Sequence, residues 1–239
     1  MSGGRRKGPR LPARRPGAAP RLKKSRKRKA SSTRWLQRQL SDPYVLEARR
    51  RGYRSRAAFK LAEIDDRFHL LAGARRAVDL GAAPGGWSQV LRERMSRPAQ
   101  IVAVDILEMD PIPGVTILRG DFLEAGTEEA VRAALEGHPA DLVVSDMAAP
   151  TTGHRATDHL RTLALAEAAY AFARTVLAEG GAFVTKIYQG GAEGDLLAAI
   201  KRDFGKVRHW KPPASRPESV ETYLIARAFR RPPEPAGSR

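Results

Sequence analysis

VDLGAAPGGWSQV, residues 78–90, sets an acid, three glycines and a proline between an apolar run and a stretch with helical spacing. Residues 75–80 read as a short buried strand and residues 87–94 as the opening of a helix, so the glycines fall in a strand-to-helix turn. Glycine there permits positive φ and lets a ligand approach the main chain closely. For a single glycine, a tight turn is reason enough. Gly81, Gly85 and Gly86 together, with Asp79 just before them, point instead to a pocket for a nucleotide-like ligand.

The same alternation continues outward from that turn. Upstream, residues 55–70 space Ala58, Leu61, Ile64, Phe68 and Leu71 at three or four, which predicts an amphipathic helix with Lys60 near its start. Downstream, strands are expected at 100–106, 115–118, 141–145 and 182–187, most of them separated by helices, including a long one over 157–178. A final pair, 207–210 and 222–228, has no helix between its members and is expected as an antiparallel hairpin at the sheet edge. The pattern is that of a doubly wound, Rossmann-like α/β fold with a mostly parallel seven-stranded sheet and ligands at the carboxyl ends of the strands.

Charge divides the chain differently. Of its formal +17, residues 1–34 carry 14 Lys and Arg and no acid, and residues 35–60 add seven basic residues against two acids, which leaves 61–239 nearly neutral. The first 34 residues are rich in Pro, Gly, Ser and Ala and contain only Leu11 and Leu22 as large aliphatics, so residues 1–52 are expected to be a disordered basic arm and linker. An acid-free run such as KKSRKRK, 23–29, suits a polyanion, and nucleic acid fits best. The catalytic unit is expected over 53–229, followed by a short tail, 230–239. With no cysteine, disulfides and cysteine nucleophiles are excluded. No apolar run is long enough for a membrane span or a secretory signal, so a soluble, cytoplasmic protein is expected, without membrane contact and as a monomer.

Acids at the strand ends narrow the ligand. Asp105 closes VAVD about where a ribose diol would need an acceptor, and Asp121 follows the third strand, placed to accept from an adenine amino group. The glycines match neither G-x-G-x-x-G nor the phosphate loop G-x-x-x-x-G-K-[ST], which disfavours dinucleotides and nucleoside triphosphates. S-adenosylmethionine, with an adenosine but no pyrophosphate, is the remaining good fit. The fourth strand ends SDMAAP, presenting Asp146, and the fifth is AFVTKIYQG, with Lys186 on the same face as Val184 and Tyr188. A buried lysine without a partner is costly, so Lys186 either snorkels to solvent or meets Asp146.

SRAAFKL, DLGAAPGGWSQ, SDMA, FVTKIYQG and ETYLIA, in this order, resemble the FtsJ or RlmE heat-shock RNA methyltransferases, over about residues 53–229. The resemblance implies an S-adenosylmethionine-dependent methyltransferase fold and 2′-O-methylation of a uridine ribose in large-subunit (23S) ribosomal RNA. It implies a catalytic Lys-Asp-Lys-Glu tetrad, here Lys60, Asp146, Lys186 and Glu221, and S-adenosylmethionine contacts at Gly85, Trp87, Asp105, Asp121 and Asp146. The residues themselves add Asp79 and Gly81 to the cofactor set. Ala149-Pro150 stands where the family often has Pro-Asn. Related enzymes with the same tetrad act on transfer RNA and messenger RNA caps.

A ribose hydroxyl is a poor nucleophile, and its proton must be drawn away while the oxygen is aligned with the methyl group. A lysine takes a proton only in its neutral form, which burial and a second ammonium favour and nearby acids oppose. Asp146 and Glu221 are therefore expected to orient Lys186 and the hydroxyl rather than to hold permanent ion pairs. Glu218 competes with Glu221 for the last place but lies in a Pro-Ser loop. SDMAAP lacks the N/D-P-P-aromatic turn that holds a flipped base, against amino-directed transfer. A non-catalytic RNA-binding assembly factor would explain the arm but not a lysine beside an acid at the cofactor edge. A small-molecule methyltransferase would leave the arm and the cluster Arg49, Arg50 and Arg51 without a partner. The five histidines lack metal-ligand spacing, and no metal is expected.

Overall fold

The sheet forms where strongly apolar, β-branched runs recur, and a computed structural model describes it within residues 41–190 and 193–231. Its strands are β1 (Arg76–Leu80), β2 (Gln100–Asp105), β3 (Thr116–Arg119), β4 (Ala140–Ser145), β5 (Leu177–Tyr188), β6 (Phe204–Trp210) and β7 (Glu221–Phe229). Helices are α1 (Pro43–Arg51), α2 (Ala58–Phe68), α3 (Gly86–Arg94), α4 (Ala125–Ala134), α5 (Arg155–Val176) and α6 (Gly194–Asp203).

The strands lie in the order β3-β2-β1-β4-β5-β7-β6. β1 to β5 pair in parallel, and β7 runs against both β5 and β6. The last two strands do pair antiparallel, but they are more than an edge hairpin. β7 is inserted between β5 and β6, and residues 211–220 make the connection. The long helix stops at Val176, short of the expected 178, because Leu177 already pairs with Ala140 and so opens β5 early.

Alternation along the central strands divides the core. Val144, Val184, Tyr223 and Ile225 face Leu61 and Ile64 of α2 and Val90 and Leu91 of α3. Val143, Phe183 and Leu224 face Val131 of α4, Ala169 and Phe172 of α5 and Ile200 of α6. Among the described residues no helix is long and apolar enough to cross a membrane.

The expectation of a structureless arm through residue 52 is corrected at its C-terminal part. Asp42 caps α1 by accepting from the Tyr44 N–H at 3.0 Å, proline stands in the first turn, and Gly52 in the left-handed region ends the helix. Ala48 of α1 packs with Phe59 and Ala214, and the Tyr44 and Phe59 rings lie 5.5 Å apart. These cap signals were present, but nine residues with three arginines in the last turn give a weak apolar stripe. Residues 1–34, and the tail from 232 on, lie outside the described residues.

Candidate active site

Strand direction assembles the site. Parallel strands β1, β2, β4 and β5 all end at one edge of the sheet, where Asp79, Asp105, Asp146 and Lys186 lie. Thr185 pairs with Ser145, so the next residue of each strand, Lys186 and Asp146, falls at the same level. β7 runs the other way and therefore begins at this edge, which sets Glu221 opposite Tyr188 and Tyr223 opposite Lys186. α2 packs over the same face and contributes Lys60 from its first turn.

The four tetrad residues of the sequence reading come together. Lys186 Nζ lies 2.7 Å from Asp146 Oδ1 and donates to the Asp146 carbonyl at 2.8 Å. Lys60 Nζ lies 2.8 Å from Glu221 Oε1 and 4.0 Å from Asp146 Oδ1. Lys186 is only 7% exposed, so it does not snorkel to solvent. Against the expectation that the acids orient without pairing, two direct ion pairs form. Burial pushes both carboxyls up, yet the ammoniums outweigh it: Lys186 and Lys60 hold Asp146 below the usual carboxylate range, and Lys60 does the same for Glu221.

Tyr223 completes the cluster and was not singled out in the sequence. Its hydroxyl donates to Asp146 Oδ1 at 2.6 Å, its ring lies under the Lys60 ammonium at 5.7 Å, and burial first, then the Asp146 charge, raises its phenol well above the ordinary value. The signal was available in ETY, since Glu221 and Tyr223 share a face at a spacing of two. In front of the tetrad, Arg56, Lys60, Arg216, Glu218, Ser219 and Glu221 line a cleft of about 460 Å³. Glu218 reaches this cleft, but Lys60 pairs with Glu221.

The glycine turn lies on the other side of Asp146. Gly81, at φ +72°, approaches Met147 so closely that an added Cβ would stand 2.7 Å from the Met147 side chain and 2.9 Å from its main chain. Gly85, at φ +109°, caps α3. The turn thus needs these glycines for its own geometry as well as for any ligand. Asp79 is fully buried, with Oδ2 accepting from the Ser88 hydroxyl at 2.6 Å and Oδ1 without a hydrogen-bond partner among the described residues. Burial above all pushes its carboxyl up to about 7. Asp105 accepts from the main-chain N–H of Ala83 at 2.9 Å and of Leu107 at 2.8 Å, and so also shapes the loop it serves. Asp121 is exposed beyond β3 and accepts from Leu123 N–H at 3.0 Å. The Trp87 side chain is not in the pocket: it is buried between α2 and the sheet and donates to the Ala57 carbonyl at 2.8 Å, leaving only its main chain, in the first turn of α3, to meet a ligand.

Residues 53–229 match the family model for FtsJ-like methyltransferase. The chain belongs to this family. Among its curated FtsJ-like relatives, ribosomal RNA large subunit methyltransferase E of Zymomonas mobilis is 59% identical over 210 residues, covering 88% of this chain and 94% of the relative. The protein of the same name from Acidiphilium cryptum is 57% identical over 213 residues, covering 89% and 93%. A solved structure of a Plasmodium falciparum ribosomal RNA methyltransferase superposes with a TM-score of 0.66 at 30% identity, covering 74% of this chain and 98% of that one.

Several arginines between 50 and 54 are engaged by the chain's own acid and carbonyl groups. Arg50 and Arg51 pair with Glu47 at 2.7 and 2.6 Å. Arg54 donates to the carbonyls of Pro84, Asp110 and Pro111 and so ties the segment before α2 to the glycine turn and to the loop after β2. His154 is exposed and caps α5, and no group of metal-binding side chains occurs among the described residues.

Proposed function

We propose that this methyltransferase moves the methyl group of S-adenosylmethionine to the 2′-oxygen of a uridine ribose in large-subunit ribosomal RNA, acting in the cytoplasm. The observation that carries this reading is the convergence of Lys60, Asp146, Lys186 and Glu221, paired two by two, at the sheet edge beside the acid-lined glycine turn. The names of the curated relatives support the choice of RNA.

The residues around the turn suit the cofactor. A fully buried carboxylate oxygen of Asp79 awaits a donor, and Asp105 and Asp121 offer acceptors at neighbouring strand ends. Asp79, Gly81, Gly85, the Trp87 main chain, Asp105, Asp121 and Asp146 would hold S-adenosylmethionine. Bound there, it supplies an electrophilic methyl group on a sulfonium.

The chain's own residues do the rest. Lys60 and Glu221 face the cleft and hydrogen-bond the ribose as it arrives. Asp146, accepting from Lys186 and Tyr223, fixes the Lys186 amine at the boundary between cleft and cofactor turn. The ribose oxygen gains a methyl group and loses its proton. For the transfer Lys186 first gives up one ammonium proton to solvent, and the neutral amine, still held by Asp146, then takes the hydroxyl proton as the oxygen gains the methyl group; a positioned base of this kind is worth about 10²- to 10⁴-fold in rate.

Mapping 2′-O-methylation across total RNA from cells with and without the gene tests the reading. Loss of one methylated uridine in the large-subunit RNA, restored by the purified protein and S-adenosylmethionine, is expected. An unchanged map, or loss confined to another RNA, overturns the assignment.

A further inference from the structure

At the outer end of the cleft the charges are unevenly matched. Arg56 and Arg216 both approach one carboxylate oxygen, Oδ2 of Asp42, at 3.1 and 3.9 Å. Arg56 also donates to the Ala214 carbonyl and lies over the Tyr44 ring, while its Nε is buried without a hydrogen-bond partner among the described residues. Two guanidiniums therefore share a single acid, and the Nε of Arg56 is left without an acceptor among the described residues. Glu218 lines the same cleft but is exposed, and no ion pair joins it to either arginine among the described residues.

Guanidinium forks match the oxygens of a phosphate as well as those of a carboxylate. Arg56 lies four residues before Lys60, in the turn that leads into α2, and both line the cleft, so an anion held at the arginines neighbours a group held at the Lys60–Glu221 pair. A ribose and the phosphate next to it in one RNA strand have this relationship.

We infer that Arg56 and Arg216 seat the RNA phosphate adjoining the target ribose, and that Asp42 is the internal carboxylate this phosphate displaces. The inference rests on the proposed reading of the cleft as the entrance for the ribose. Asp42 holds the two cations in place and screens them from unrelated anions. Its other oxygen caps α1, so its position is set independently of the arginines.

The test is binding of a fluorescent, uridine-containing single-stranded RNA over a salt series, with the full chain and two variants. Arg216→Gln removes the arginine with the looser contact. It should weaken binding about fivefold and flatten the slope of log affinity against log salt by about 0.7, the contribution of one phosphate on a single strand. Asp42→Asn keeps an oxygen for the α1 cap but removes the competing charge, and should tighten binding severalfold. A wild-type slope in Arg216→Gln, or unchanged or weaker binding in Asp42→Asn with an unaltered melting temperature, overturns the phosphate seat. Methyl transfer to the same RNA and to large-subunit RNA, followed in parallel, separates the two readings. An active wild-type enzyme with unaltered slopes removes only the seat, whereas an inactive one removes the proposed function whatever the slopes.

Discussion

Lys186 donates twice to one residue: its ammonium lies 2.7 Å from Oδ1 of Asp146 and 2.8 Å from the carbonyl oxygen of the same residue. Two of its three protons are thereby engaged, and the third is left for a substrate. In that state Lys186 can align an oxygen but cannot accept a proton. Arginine keeps the charge and the donors but cannot act as a base at accessible pH. Lys186→Arg is expected to lower methyl transfer by at least about 100-fold at every pH from 6 to 9, with affinity for S-adenosylmethionine within about twofold of wild type. Single-turnover assays and calorimetric titration measure the two quantities. Substantial activity in the arginine variant would assign Lys186 to alignment alone.

The Tyr223 hydroxyl shares Oδ1 of Asp146 with Lys186, which makes it a positioning residue. Tyr223→Phe keeps the ring packed against Trp87 but withdraws one donor from a carboxylate held low in part by that bond. Turnover should fall about tenfold, near the worth of one hydrogen bond to a charged group. Because the lost bond favoured the ionised form, Asp146 should titrate higher, moving the acid limb of the pH–rate profile upward. A reduced rate with an unmoved limb would mean that the hydroxyl serves packing only.

The strands were legible because each is written locally, whereas Lys60 and Glu221 enter the tetrad only through the family resemblance. Apolar runs set β1, β2, β4 and β5, and Lys186 stood out as a charge within such a run. The insertion of β7 between β5 and β6 was not legible, since periodicity gives a strand's faces but not its neighbours. Resemblance implies a cofactor contact at Trp87 but not which part of the residue makes it, and the fold buries the indole against Ala57. The internal partners of the arginines from 50 to 56 were not legible, because a sequence does not show that Glu47, Asp42 and several carbonyls lie within their reach.

Asp79 should make stability fall with rising pH. Burial raises its folded value to about 7, against an ordinary value of about 3.9, so the folded state prefers the protonated acid. The stability that this preference supplies is fully present below about pH 4, is lost progressively between pH 4 and 7, and amounts to on the order of 4 kcal/mol. Asp79→Asn cannot ionise. Its melting temperature should exceed that of wild type at pH 8, and the gap between the two should close towards pH 4. Thermal melts of both proteins across that range give the difference directly, free of the opposite contributions of Asp146 and Glu221, which both share. A pH-independent gap would mean that Asp79 is ionised throughout.

Gly81 packs the glycine turn against the loop that carries Asp146. Its φ of +72° costs a residue with a side chain about 1 to 2 kcal/mol, and the new Cβ would press on Met147, the neighbour of Asp146, at 2.7 to 2.9 Å. Main-chain atoms of Met147 are among those met, so a change of rotamer does not relieve the contact. Gly81→Ala is therefore expected to displace the loop that carries Asp146 and to lower turnover by more than its stability loss accounts for. The measurement compares the melting temperature and the single-turnover rate of the variant with those of Gly52→Ala. That glycine also has a positive φ, +74°, but an added Cβ there meets nothing within 4 Å. Both variants should lose similar stability from the backbone, whereas only Gly81→Ala should lose the methyl-transfer rate. Equal rates in the two would show that the contact with Met147 does not transmit to Asp146.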